Sequence, residues 1–227
     1  MCFSASASIT AGVLLTFIGT ETVKKVHKPA QIIFASIPLF FALQQFAEGV
    51  IWLFMRRPGY EGLLMVVTYI FVFMAQILWP VIIPLSVLLI EENRIKKIIL
   101  ASLLAAGTAI GLYNLYLLVV HKIHAEIGGM HITYQSNFDD NFGKLALACY
   151  LLVTVVPLFV SSIKRMYILG MIMALSFAVS AVFYMQCLTS VWCFFAAVIS
   201  FVIYYIVRRA HNQFHFDSVH GQARQAD

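Results

Sequence analysis

Seven long apolar segments, separated by short polar or charged loops, constrain this chain more than any other feature of its sequence. They cover residues 4–23, 30–55, 62–90, 97–120, 145–163, 166–186 and 188–207. A helix needs about 20 apolar residues to cross the hydrocarbon core of a bilayer. The sequence therefore predicts an all-α fold: a polytopic membrane bundle of seven transmembrane helices within residues 1–210, followed by a tail at 211–227.

The composition supports a membrane location and excludes several other classes of protein. The chain has 227 residues, of which 62% are hydrophobic and 11% are charged, whereas soluble domains have about 45–50% apolar and about 25% charged residues. Disordered, collagen-like and disulfide-scaffold classes are thereby excluded. Seven spans leave no room for a soluble catalytic domain, so we expect any site to lie within the membrane or at its edge.

The distribution of basic residues predicts the orientation of the bundle. The segments 24–28, 94–97, 164–165 and 208–224, which lie at one side of the predicted bundle, contain 11 of the 15 Lys and Arg residues. The positive-inside rule then places the amino terminus outside and the tail in the cytoplasm. The net charge of +5 thus mostly reflects membrane topology, and because the charges are dispersed among loops it is weak evidence for nucleic acid. The expected partner is the lipid bilayer, with no nucleic acid.

Glu48 is the one carboxylate well inside a predicted span, in the outer half of span two. An ionisable group at this depth is costly, so it normally faces the bundle interior or a wet cavity and has a partner. Gln45 and Trp52 lie at i−3 and i+4 from Glu48 and share its helical face. Glu48 is therefore a candidate proton carrier, cation ligand or general base.

Other spans place polar and aromatic side chains at a similar outer depth, which predicts an outward-facing polar pocket around Glu48. The candidate ligand-binding residues are Glu48, Gln45, Gln44, Trp52, Tyr113, Asn114, Tyr150, Tyr184 and Trp192. The alternative is structural, because Gln and Asn often bridge helices and Tyr and Trp are enriched at membrane interfaces. The expected ligand is a cation, a proton or a small polar molecule, and the sequence identifies no cofactor.

The four cysteines, Cys2, Cys149, Cys187 and Cys193, all map to the predicted outer side. Three interpretations remain open for them. A disulfide is permitted outside the cytoplasm, a soft metal site could use Cys2 and Cys193 with Glu48, and Cys in a span is commonly an apolar filler.

The longest external loop, 121–144, is predicted to be a lid over the outer chamber. It contains two glycines followed by the alternating stretch 130–134, which favours a short extended segment or hairpin. Within the spans, Pro80, Pro84 and Pro157 predict kinks. Gly107 and Gly111 form a Gly-x-x-x-Gly spacing that is typical of close helix packing.

Four sequence motifs carry a resemblance that extends over almost the whole chain. These are the opening MCFSA, the stretch QQFAEGVIW at 44–52, Trp79-Pro80 with Pro84, and SVWCF at 190–194. With them the chain resembles a family of uncharacterised bacterial seven-span integral membrane proteins, a domain of unknown function. The resemblance implies the same fold, special roles for the motif residues and a bacterial inner membrane, and it supplies no activity.

Three functions are compatible with these features. The first is a small transporter or carrier that binds its ligand at Glu48, and the apolar cytoplasmic half argues against an open pore. The second is a membrane-embedded enzyme acting on a lipid or a thiol. The third is a ligand-binding sensor that would need a partner protein, and an oligomer is compatible with all three. We favour transport or ligand binding over catalysis.

Overall fold

The structure, a computed structural model, describes residues 4–120, 124–128, 131–135, 140–183 and 195–223. Side chains are described in residues 4–120, 145–180 and 195–209. Tyr184, Trp192 and the cysteines at positions 2, 187 and 193 therefore lie outside the described residues.

The described part of the chain is helical except for one short hairpin. The elements are α1 (Ala5–Val23), a 3-10 turn (Pro29–Gln31), α2 (Ile32–Phe54), α3 (Glu61–Phe73), a π turn (Met74–Leu78), α4 (Trp79–Ile90), α5 (Arg94–Val120), β1 (His124–Gly128), β2 (His131–Gln135), α6 (Asp140–Val160), α7 (Met166–Phe183) and α8 (Ala196–Ala223). Since α3, the π turn and α4 form one helical segment, there are seven such segments in the described residues. The predicted all-α class is confirmed.

Four of these segments are long and apolar enough to cross a membrane by length and composition. They are Ala5–Val23, Pro29–Phe54, Glu61–Ile90 and Arg94–Val120, and shorter apolar helices follow at Leu145–Val160 and Met166–Ser180. Several long apolar helices fit a membrane protein, while the count of seven spans and the orientation stay predictions. The last helix differs from the predicted boundary, because α8 continues to Ala223 through much of the predicted tail.

The hairpin predicted in the longest loop is confirmed. β1 and β2 pair in antiparallel register, with Ile127 opposite Ile132 and Gly128 opposite His131. α6 begins at Asp140, before the predicted start of span five, so the loop between helices is shorter than expected. Its role as a lid stays a prediction.

Glycines bring α1 and α2 close together. A Cβ atom added at Gly19 of α1 would lie 2.6 Å from Cδ2 of Leu39, and one added at Gly49 of α2 would lie 2.7 Å from Cγ1 of Ile9. Small residues at a helix interface let the backbones approach, as in many membrane helix pairs. This contact orients α2 and so fixes where its polar residues point.

A second close approach joins α5 to the segment that contains the π turn. A Cβ atom at Gly107 would lie 2.0 Å from the carbonyl oxygen of Pro80, and one at Gly111 would lie 3.3 Å from that of Ile77. The predicted packing role of these two glycines is confirmed. The helix irregularity lies immediately before Pro80, because proline lacks the N–H that would continue the hydrogen-bond ladder.

Candidate functional site

The middle of α2 buries three strongly polar side chains inside the bundle. Gln44, Gln45 and Glu48 have at most 1% of their surface exposed, and the buried Ala42, Ala47 and Ile51 lie beside them on the same helix. Polar groups are costly to bury without hydrogen bonds. The three side chains therefore form the polar layer on which the candidate site is built, and we refer to them as the α2 polar layer.

Gln44 joins this layer to α4. The indole Nε1 of Trp79 donates a buried hydrogen bond of 2.9 Å to Oε1 of Gln44. The Trp79 ring also stacks on Phe41, with 4.3 Å between the ring centroids. Because an indole has only one donor, its buried N–H is satisfied by the amide, and the stacking fixes the plane of the ring.

Gln45 differs from Gln44 in its hydrogen bonding. Its side-chain oxygen and nitrogen are both buried, and neither has a hydrogen-bond partner among the residues that the structure describes. The buried Nε1 of the half-buried Trp52 is likewise without one in that part of the chain. Since Gln45, Glu48 and Trp52 follow each other at i, i+3 and i+7, they lie on one face of α2. This face presents an acceptor and two donors beside a carboxylate.

Asn114 and Tyr150 donate their hydrogen bonds to the π turn. Nδ2 of Asn114 donates to the carbonyl oxygen of Gln76 at 2.9 Å, and the Tyr150 hydroxyl donates to that of Ala75 at 2.7 Å. Pro80 has no N–H, so it can serve neither Gln76 at i−4 nor Ala75 at i−5. Pro80 thus leaves one donor fewer for these two carbonyl oxygens, and the two side chains supply donors to both.

A small cavity lies beside the Trp79 ring. It has a volume of about 30 Å³ and is lined by side chains of several helices, including Trp79, Tyr150 and Thr154. The Thr154 hydroxyl donates to the carbonyl oxygen of Tyr150, so the polar groups of the lining already have partners. The cavity is about the size of one water molecule.

The other predicted site residues are not brought together in the described residues. Tyr113 is 43% exposed on α5, and Cys149 is half-buried and forms no disulfide within the described part. No group of three or more His, Cys, Asp or Glu residues gathers there as a metal site. Tyr184 and Trp192, with Cys2 and Cys193, lie outside the described residues.

A buried carboxylate at the opposite end of the bundle was missed by the sequence analysis. Glu91, directly after α4, is 2% exposed, and its Oε2 accepts a hydrogen bond from the Ser162 amide while Oε1 accepts from the Asn93 and Glu92 amides. Burial raises the pKa of Glu91, but these hydrogen bonds outweigh burial and hold the pKa below its usual range. The ionised carboxylate thus ties the α4–α5 connection to the α6–α7 connection.

A larger cavity of about 460 Å³ lies at this lysine-rich end. Its lining includes Lys28, Lys97, Glu91, Glu92 and Ser162 at the polar side. The sequence predicted a site at the outer end of the bundle and none at the lysine-rich end, which it predicted to be cytoplasmic. The signal that could have found it is the Glu-Glu-Asn stretch at 91–93, which follows an apolar run without any intervening loop.

Comparison with known proteins assigns the family and no activity. Residues 1–217 match the model of a family of unknown function, DUF6629, and the chain belongs to that family. No curated protein and no solved structure matches it.

Proposed function

We propose that this chain is a small membrane carrier that binds a proton or a small cation at Glu48 and Gln45. The observation that carries the proposal is Gln45, a fully buried amide with neither side-chain atom hydrogen-bonded to a described residue. Leaving a buried polar group unsatisfied costs about 1–3 kcal/mol. A site that binds a ligand in part of its cycle gives a physical reason to keep such a group.

The chemistry of the two side chains favours a proton or a cation over an anion. Carboxylate and amide oxygens are the ligands that hard cations prefer, and no Lys or Arg lies near Glu48 in the sequence of α2. A charge is costly to move into apolar surroundings. Loading Glu48 with a proton or a monovalent cation therefore neutralises the site, which lowers the cost of moving the ligand through apolar surroundings.

The packing around the site supports a carrier and not an open pore. On the lysine-rich side of Gln44, α2 buries Phe34, Ile37 and Phe41 in the main apolar core. A carrier needs a place where a helix can bend. The π turn before Pro80 is such a place, since π turns and prolines are common sites of helix bending, and the Trp79–Gln44 hydrogen bond connects it to the α2 polar layer.

The location completes the proposal. We assign the protein to the cell membrane of a bacterium, with the amino terminus outside and the site opening outward. In this arrangement the loop 121–144 acts as an external lid and residues 211–227 as a cytoplasmic tail. We propose the exposed Tyr113 as a further ligand-binding residue, and Tyr184 and Trp192 stay candidates from the sequence.

The test is ion flux into proteoliposomes that contain the purified full-length chain. A pH gradient is followed with an internal dye, and sodium and potassium gradients are followed in parallel. We expect the wild type to dissipate at least one gradient faster than protein-free liposomes. Glu48→Gln should reduce that rate to the protein-free level, and Gln45→Leu should reduce it at least tenfold.

The matched control is Glu61→Gln, the same chemical change at an exposed residue that begins α3. This variant should keep the wild-type rate, and all variants should elute from a sizing column as the wild type does. Flux that is unchanged by Glu48→Gln would refute the proposal. Absence of flux for protons, sodium and potassium in the wild type would refute it as well.

A further inference from the structure

We propose that the cavity at the lysine-rich end binds the phosphate-bearing headgroup of a membrane phospholipid. The cavity lies where the α1–α2, α4–α5 and α6–α7 connections meet α8. This site is independent of Glu48 and of the carrier proposal. The size of the cavity and the apolar and charged residues of its lining support the proposal.

The size and the lining fit an amphipathic ligand. A volume of about 460 Å³ falls within the range of about 300–1,000 Å³ that is usual for small-molecule sites. The lining combines apolar side chains, among them Phe34, Leu89, Ile163 and Ile206, with charged and polar ones, among them Lys28, Lys97 and Ser162. A free inorganic ion would leave the apolar side chains uncovered, whereas the glycerol and upper acyl carbons of a phospholipid would cover them.

The rim supplies two cations for a phosphate group. Lys97 is exposed and has no carboxylate within ion-pair distance among the described residues. Lys28 is paired with Glu92 at 3.5 Å, and both side chains are largely exposed. An exposed pair of this kind contributes little free energy, so it competes weakly with a phosphate.

The carboxylate of Glu91 is bound by backbone amides of the connections around the cavity. Its two oxygens already accept hydrogen bonds from the backbone amides of Ser162, Asn93 and Glu92. Those bonds stabilise the ionised carboxylate and hold two of the connections that form the cavity. The cavity is thereby shaped by the fold before any ligand enters.

The position of the cavity in the chain favours a lipid over a soluble phosphate compound. The residues at its rim directly adjoin the ends of the long apolar segments Pro29–Phe54, Glu61–Ile90 and Arg94–Val120, so it lies at the level of the lipid headgroups. Basic pockets between membrane helices on the cytoplasmic side are typical headgroup sites. Further basic residues, Lys25, Arg94 and Lys96, surround the same end of the bundle.

The experiment measures binding to the delipidated full-length protein in detergent by native mass spectrometry and by the rise in unfolding temperature. Three probes separate the possible sources of affinity: dioleoyl phosphatidylglycerol, dioleoylglycerol with the same chains and no phosphate, and inorganic phosphate. We expect only the phospholipid to remain bound and to raise the unfolding temperature. A basic residue near a membrane surface contributes about 1 kcal/mol, so Lys28→Gln with Lys97→Gln should weaken binding about thirtyfold.

The matched control is Lys25→Gln with Lys96→Gln, which removes the same charge from the same end outside the cavity lining. It should weaken binding less than threefold. Filling the cavity with Ala30→Phe, which leaves the charge unchanged, should abolish retention of the lipid. Equal losses in the two double variants, or equal stabilisation by inorganic phosphate or dioleoylglycerol, would overturn the proposal.

Discussion

Trp79 and Gln44 lie 35 positions apart in the sequence, yet the indole Nε1 of Trp79 donates a 2.9 Å hydrogen bond to the side-chain oxygen of Gln44 inside the bundle. Trp79 is the first residue of α4, immediately after the π turn. The bond therefore links the α2 polar layer to the most irregular point of the neighbouring helical segment. A shift of the α2 polar layer therefore changes the packing at the π turn, and the reverse also holds.

The first prediction concerns this bond. Trp79→Phe removes the N–H donor and keeps a ring to stack on Phe41, while Gln44→Leu removes the acceptor at similar volume. Each change should destabilise the bundle. The double-mutant cycle should give a coupling between about 0.6 kcal/mol, the average for hydrogen bonds between membrane helices, and about 1.7 kcal/mol, their maximum. Unfolding in mixed micelles measures it, and strictly additive effects would contradict the prediction.

The second prediction concerns the hydrogen bond that Asn114 donates to the π turn, four positions before Pro80. Asn114→Leu removes the side-chain donor to the carbonyl oxygen of Gln76 and should destabilise the fold by about 0.6 kcal/mol, and by no more than about 1.7 kcal/mol. In a Pro80→Ala background the restored N–H can serve this carbonyl, so the same substitution should cost clearly less. The measurement is thermal unfolding of the wild type, Asn114→Leu, Pro80→Ala and the double variant. An equal loss of stability on Asn114→Leu in both backgrounds would exclude this role of Asn114.

For the polar residues of the spans, the sequence predicted burial but not the hydrogen-bond partners. Gln44, Gln45 and Glu48 were recognisable because a polar group in an apolar run must be buried or paired. Asn114 and Tyr150 were placed at a suitable depth, but their partners are backbone carbonyls in a π turn. That turn depends on Pro80 and on packing against Gly107, which are tertiary features that a hydropathy pattern does not contain.

Glu91 is a buried polar residue that the sequence did not predict. A carboxylate between two spans is ordinarily solvated, so its position in the sequence predicts an exposed loop. The structure buries it because the Ser162 amide, 71 positions away, donates a hydrogen bond to its Oε2. Such a long-range partner follows from how the connections meet in space, and the Glu-Glu-Asn stretch at 91–93 marks only one of the connections that form the cavity beside them.

The third prediction tests the close packing of α5. Gly107→Ala would place Cβ 2.0 Å from the carbonyl oxygen of Pro80, which is backbone and cannot move aside cheaply, whereas Gly111→Ala would place Cβ 3.3 Å from that of Ile77. Gly107→Ala should therefore cost about 1–3 kcal/mol or more, and Gly111→Ala less. Gly62→Ala, with open space around it, serves as the control in the same unfolding assay. A larger loss of stability for Gly111→Ala than for Gly107→Ala would contradict this packing.

The fourth prediction is a pH dependence of stability that originates at Glu91. Hydrogen bonds from Ser162, Asn93 and Glu92 hold the pKa of its carboxyl in the folded protein below the ordinary value of the unfolded chain. Protons therefore bind the unfolded state more readily, and the stabilisation by Glu91 is fully present above the ordinary pKa. It is lost as the pH falls from there through the lower pKa of the folded state.

Glu91→Gln should thus destabilise the protein at neutral pH by about 2 kcal/mol, the scale of hydrogen bonds to a charged group. The difference in stability between wild type and variant should shrink steadily once the pH falls below the ordinary pKa of a glutamate. Glu92→Gln, at an exposed neighbour, should change stability little at any pH. Unfolding temperatures of the three proteins from pH 7 to pH 3 provide the measurement. Because the bonds to Glu91 join two connections of the bundle, a difference that stays constant over this range would mean that its charge does not hold them together.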